Sequence, residues 1–82
     1  MATYTVRVER QDPATLHWHT EIPDTVTSDP RGPQELSDQL ALMETVADGH
    51  TWRVRVWRGD RIRNPIPDAE HCLTRSMGLG QE

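Results

Sequence analysis

The chain predicts an α+β fold, a two-layer β-β-α-β sandwich in which one helix covers one face of a three-stranded, antiparallel-leaning sheet. Three observations carry this. Three stretches alternate apolar and polar residues with period two, as half-buried strands do. One long segment between the second and third has an apolar rhythm of three- and four-residue steps, the pattern of an amphipathic helix. Each strand then has one greasy face, and the helix is the element able to cover it.

The first strand runs from Thr3 to Arg10, with Tyr4, Val6 and Val8 on one side and Thr5, Arg7 and Glu9 on the other. Gln11 to Ala14 reads as a turn, because Asp12 favours turn starts and Pro13 fixes its own φ. Thr15 to Ile22 alternates again, with Leu16, Trp18, Thr20 and Ile22 inward and His17, His19 and Glu21 outward, so the two strands form an antiparallel hairpin. Pro23 ends the second strand, and Asp24 to Gly32 is a loop rich in turn formers. The helix occupies Pro33 to Asp48, with Leu36, Leu40, Met43 and Ala47 as its stripe and Leu42 and Val46 widening it; Gly49 supplies a left-handed stop. His50 to Arg58 is the third strand. Trp52, Val54 and Val56 share one face, and Arg53, Arg55 and Trp57 the other. It pairs beside the first strand, giving the sheet order 2-1-3. Asn64-Pro65-Ile66-Pro67 cannot continue a ladder. Asp68 to Met77 reads as a short helix, with Leu73 and Met77 four apart, or as a tail. The organisation is therefore a β-β-α-β domain over residues 1–60 and a C-terminal extension over 61–82.

A chain of 82 residues is expected to be a single domain. Burial on folding reaches only about 60–65% of the unfolded surface at this size, so the core is thin. The hydrophobic fraction is 34% with no Phe, and three Trp make up part of the volume. The formal charge of −4 argues against a general nucleic-acid binder. Its distribution is uneven. Five of the nine Arg lie between Arg53 and Arg63, whereas Asp12 to Asp48 holds eight acids and one Arg, which predicts an acidic and a basic side. The absence of Lys fits GC-rich coding bias. Cys72 is the single cysteine, so no internal disulfide forms and a reducing compartment is expected. No apolar run approaches the ~20 residues of a membrane span, and MATYTVRVER lacks the apolar core of a signal peptide. These features predict a cytoplasmic protein without a membrane partner.

The third strand carries the sharpest chemical signal. In the predicted register Arg53, Arg55 and Trp57 share the uncovered sheet face with Arg7, Glu9, His17, His19 and Glu21. Guanidinium forks pair with carboxylates or phosphates, and an indole fills a partner's pocket or stacks on a base. Arg7, His17, His19, Arg53, Arg55 and Trp57 are thus the candidate partner-binding set. The plainer reading is a solvated face on which Arg7, Arg53 and Arg55 pair across strands with Glu9 and Glu21. Trp57 speaks against that, because a large aromatic needs a partner or a covering segment; the C-terminal segment is one such cover. His17 and His19, two apart on one strand face, could share a metal only if His50, His71, Cys72 or an acid completed the three or four ligands of a zinc site; no Cys-x-x-Cys or His-Glu-x-x-His spacing is present, so no metal is expected. Cys72 beside His71 resembles a nucleophile and base in sequence only, since no third group orients them. No phosphate loop or nucleophile elbow is present. Neither a catalytic site nor a cofactor is expected.

Tyr4 to Arg10 (YTVRVER), the strand end at Glu21-Ile22-Pro23-Asp24, the Thr25-Val26-Thr27 step and a helix carrying Glu35-Leu36 and Leu40 resemble, in that order, the HicB-type antitoxin domain. The likeness spans about Tyr4 to Arg58; the family's Pro-Gly-Cys turn is absent, and no helix-turn-helix or ribbon follows in these residues. The resemblance implies a small, often oligomeric domain that neutralises a partner without DNA binding of its own. The expected function is a non-catalytic protein-binding module, antitoxin-, inhibitor- or immunity-like, using the Arg/Trp sheet face or the acidic helix. The alternative is a nucleic-acid-binding accessory protein using the Arg-rich strand. A homodimer is a further partner arrangement.

Overall fold

The computed structural model describes residues 2–74. Strands β1 (Ala2–Gln11), β2 (Trp18–Asp29), β3 (Thr51–Arg58) and β4 (Ala69–Thr74) form one sheet, with helix α1 (Pro33–Met43) between β2 and β3. All pairings are antiparallel, and the four-stranded order is β2-β1-β3-β4. The first three strands therefore take the order that alternation predicts. The fourth replaces the short helix expected from Asp68 onward. Ala69 and Leu73 alternate with Glu70 and Cys72, and they lie opposite Val56 and Trp52 of β3. The open edge of β3 favours that period-two pairing over the four-residue step from Leu73 to Met77. Met77 and the rest of the expected tail, residues 75–82, lie outside the described residues.

The core is the helix-facing side of β1 and β3. Val6 pairs with Val56 and Val8 with Val54, and Tyr4, Trp52, Leu36, Ala41 and Ala69 complete the cluster. The Tyr4 hydroxyl stays satisfied by donating to the Arg31 carbonyl at 2.7 Å.

The helix begins where proline at its first position predicts, and the Glu35 carboxylate reaches back to accept from the Gly32 amide. It ends at Met43, earlier than its apolar pattern suggests, and its orientation also differs. Its buried residues are Leu36, Ser37 and Ala41, with Leu40 half-buried, while Leu42, Met43 and Val46 are exposed. Small side chains at Ser37 and Ala41 let the helix approach the sheet closely. Beyond the helix, buried Thr45 donates its hydroxyl to the Ala41 carbonyl at 2.6 Å. Gly49 does take a left-handed φ of 82°, but as part of the loop into β3 and not as the helix stop.

β2 departs furthest from expectation. It does not end at Pro23 but continues to Asp29. The register shifts twice against β1, between Val6 and Val8 and again between Val8 and Glu9. These bulges absorb Pro23, which an edge strand tolerates because its missing N–H need not face a neighbour. They also switch the faces. Ile22 lies opposite Val8 on the helix side, whereas Trp18 and Thr20 lie opposite Gln11 and Glu9 on the open side. Leu16, expected inward, sits in the turn at φ 63° and is exposed. Asp12 organises that turn through Oδ1, which accepts from the amides of Ala14 and Thr15.

The close approach of α1 generates a prediction. Ser37→Leu raises apolarity and helix propensity but overfills the contact, and it should destabilise by about 1–3 kcal/mol. Ser37→Ala, which loses only the hydroxyl's hydrogen bonds to Gln34, should cost about 0.5–1.5 kcal/mol. Urea unfolding of the two variants checks the order, and a Leu variant at least as stable as the Ala variant would contradict this packing.

Candidate functional site

The sheet face away from α1 is built by β1 and β3, whose pairs Arg7–Arg55 and Glu9–Arg53 stand side by side. Alternation forces these residues onto the side opposite the valines, so their charges must be matched there or by solvent. They are matched within the chain. Arg7 grips Asp24 in bidentate fashion, Nε to Oδ1 at 2.7 Å and Nη2 to Oδ2 at 3.2 Å. That contact raises the Arg7 pKa and holds the Asp24 carboxyl below its usual range. Arg53 pairs with the buried Glu9, which Arg7 also approaches at 3.9 Å. Arg55 stands 3.6 Å from Glu70 and donates to the Pro65 carbonyl at 3.2 Å.

Trp57 lies on this face, as alternation predicts, but it is only 3% exposed. The guanidinium groups of Arg7 and Arg55 lie 5.2 and 5.3 Å from its ring, and its indole N–H donates to the Asn64 carbonyl at 2.7 Å. The cover is the arch that follows β3. Gly59, at φ 97°, starts the arch, with its amide bonded to the Thr3 carbonyl and its carbonyl to the Thr5 hydroxyl. Asp68 closes it by bonding the Arg58 amide. Trp18, missed as a member of this face, stacks under Arg53 with the guanidinium 4.1 Å from its ring. The expected basic side is therefore largely a neutral network. Arg58, Arg61 and Arg63 are exposed and have no carboxylate within 4 Å among the described residues.

The structure brings together Arg7, Arg53, Arg55 and Trp57, but it separates them from both candidate histidines. His17 precedes β2. His19 lies opposite Arg10, itself opposite Trp52, which places it on the helix side because of the bulges. Glu21 likewise pairs with Arg10, at 3.3 Å, and not with Arg53 or Arg55. Among the described residues no three His, Cys, Asp or Glu side chains gather as metal ligands would. His71 and Cys72 point to opposite faces. The His71 ring contacts Asp38 of α1 at 2.7 Å, while the Cys72 thiol donates to Glu70 at 3.2 Å. Burial first, and the Glu70 carboxylate second, push that thiol up to about 11, so it stays protonated at neutral pH.

Two features were not legible as sites. Asp48, in the loop between α1 and β3, ties that loop to the sheet: Oδ1 accepts from the Trp52 indole and the His50 amide at 3.0 Å each, and Oδ2 from Arg10 at 3.2 Å. The second is a groove. α1 packs over β3 and β4, leaving the helix-side face of β1 and β2 partly bare. A cavity of about 310 Å³ results, walled by Val6, Val8, Ile22, Leu36, Leu40 and Met43. Thr25, Thr27 and Gln39 add polar edges; Asp29 and Arg31 stand among its lining at the helix N-terminal end and Glu44 at the other.

No family model, curated protein or solved structure matches this chain. Among the described residues no helix is long and apolar enough to cross a membrane.

Asp48 generates a pH prediction. Partial burial raises its pKa, but the bonds from Trp52, His50 and Arg10 outweigh that and hold it at about 2, against the usual 3.8. A depressed carboxyl contributes stability above its unfolded value, and that contribution disappears as pH falls through the folded one. The melting temperature should therefore fall between pH 4 and about 2, with a shallower fall in Asp48→Asn. Parallel curves for the two proteins across that window would show that Asp48 carries no such linkage.

Proposed function

We propose that this chain is a small non-catalytic protein-binding module whose contact surface is the outer face of α1 and the groove beside it. The observation that carries the reading is an uncovered apolar surface. Leu42 and Met43, at the C-terminal end of the helix, are 68% and 63% exposed and Val46, in the loop that follows, 56%; Met43 also helps to line the apolar groove. Clustered exposure of this kind marks an interaction site. Exposed Glu35, Asp38 and Glu44 rim it with negative charge, which repels nucleic acid and steers a basic partner. A neutralising role of the antitoxin, inhibitor or immunity type fits such a surface. The Arg/Trp face offers less, because its guanidinium groups are already paired and Trp57 is covered. Capture from the native host by tagged protein tests the reading. Leu42→Asp with Met43→Asp should abolish partner recovery, while Arg53→Ala with Arg55→Ala should reduce it less. An identical set of captured proteins from all three baits counts against this surface.

A second reading, binding of nucleic acid, is favoured by exposed Arg58 at the end of β3 and Arg61 and Arg63 in the arch that follows. If these contact three phosphates, log affinity should fall with log salt at a slope of about −2.7 for duplex DNA. No measurable binding to DNA or RNA at low salt removes that reading.

A further inference from the structure

We infer that the outer edge of β2 between Pro23 and Pro30 pairs with the same segment of a second copy of this chain, antiparallel and centred on Val26, so that the two sheets join edge to edge. This contact lies apart from the helix surface proposed above and does not depend on it.

Hydrogen-bond alternation identifies the unpaired groups of β2. The Gly59 amide donates to the Thr3 carbonyl. Thr3, Thr5 and Arg7 therefore turn their backbone groups toward β3, and Ala2, Tyr4 and Val6 turn theirs toward β2. Opposite those three stand Asp29, Thr27 and Thr25. The residues between, Val26 and Ser28, then point amide and carbonyl away from the sheet, and none of the described residues bonds them. α1 packs over β3 and β4 and leaves this edge clear.

Sheet edges are normally closed by unpaired charge, proline or bulges. β2 has no Lys or Arg. Its bulges end before Thr25. Asp24 and Asp29 are neutralised within the chain, by Arg7 and Arg31. Thr25-Val26-Thr27-Ser28 is left as an uncharged edge rich in β-branched residues, with Val26 53% exposed.

The two prolines select the register. A two-fold contact repeats every pair by symmetry. Centred on Val26, it sets Val26 against Val26, Asp24 against Ser28 and Thr25 against Thr27 of the other copy, with about six main-chain hydrogen bonds from the outward groups. Pro23 then faces Asp29 at a non-hydrogen-bonded position, where its missing N–H is not needed. Centring on Thr27 would put Pro30 at a donating position opposite Asp24. Centring on Thr25 would put apolar Val26 against charged Asp24. In the selected register both helices lie on one side of the joined sheet and both Trp57 networks on the other.

Purified protein provides the test. Sedimentation and light scattering at high micromolar concentration should give a dimer. Val26→Lys, at an exposed edge position, should raise the dissociation constant at least about tenfold with an unchanged far-UV spectrum. In a Cys72→Ser background, Val26→Cys should form an intermolecular disulfide on mild oxidation, because directly opposed residues stand about 5.5 Å apart at Cα; Leu42→Cys should not. Hydrogen exchange at the Val26 and Ser28 amides should slow as protein concentration rises. Leu42→Asp with Met43→Asp should leave the dimer intact. A wild-type monomer overturns the inference, as does a dimer that survives Val26→Lys or whose Val26 and Ser28 amides still exchange fast. A dimer that Val26→Cys fails to lock overturns the register. A dimer lost in the helix double variant overturns edge pairing and supports the helix surface. If the chain stays monomeric yet captures a host protein through Leu42 and Met43, edge pairing fails and the protein-binding reading stands.

Discussion

The register of β1 against β3 is the constraint on which the structure depends. Setting Val6 opposite Val56 and Val8 opposite Val54 gathers the apolar side chains on one face of the sheet. The same register leaves Arg7, Glu9, Arg53 and Arg55 together on the other, where a one-residue slip would bury them. The valine face requires a helix as cover, and the charged face requires carboxylates. Asp24 of β2 and Glu70 of β4 bring those carboxylates from the flanking strands. The outer strands thus complete the electrostatics of a central pair that could not stand alone.

What was legible in the sequence follows from the same pair. Clean alternation in Tyr4–Val8 and Trp52–Val56 fixes both strands, their faces and most of the core. The position of Trp57 opposite the valines was legible too. A cover by the C-terminal segment was legible as well, but not the path of the arch that supplies it: Gly59 and Asp68 mark its ends, whereas its contacts to Trp57 and Thr3 run through backbone groups of Asn64 and Gly59. The partners of Arg7 and Arg55 were hidden for a different reason: Asp24 lies beyond a proline that reads as a strand end, and Glu70 lies in a segment whose Leu73 and Met77 mimic a helical step. Hydrophobicity likewise points to Leu36, Leu40, Met43 and Ala47, widened by Leu42 and Val46, as the buried side of α1; Leu36 and Leu40 do face inward, but the sheet takes the smaller Ser37 and Ala41 in place of the others, which are exposed.

This division of roles changes what each surface can offer. Guanidinium groups on the open face are engaged by carboxylates, and breaking those pairs to admit a phosphate leaves Glu9 buried without a counter-charge, which is costly. The helix side carries no such commitment. Its apolar residues Leu42 and Met43 are largely exposed, and the one hydrogen bond there, from the Gln39 side-chain amide to the Met43 sulfur at 3.4 Å, is weak, so covering them disturbs little inside the molecule.

The double bulge beside Pro23 has a further effect on how the molecule can vary. It divides β2 into two halves that are keyed to β1 independently, Trp18–Thr20 on one phase and Thr25–Asp29 on another. Loss or gain of a residue at the junction would re-aim the half carrying Trp18 while the half that borders the groove kept its alignment. The hairpin tip is in this sense uncoupled from the rest of the edge, and its surface can diverge without disturbing the interior.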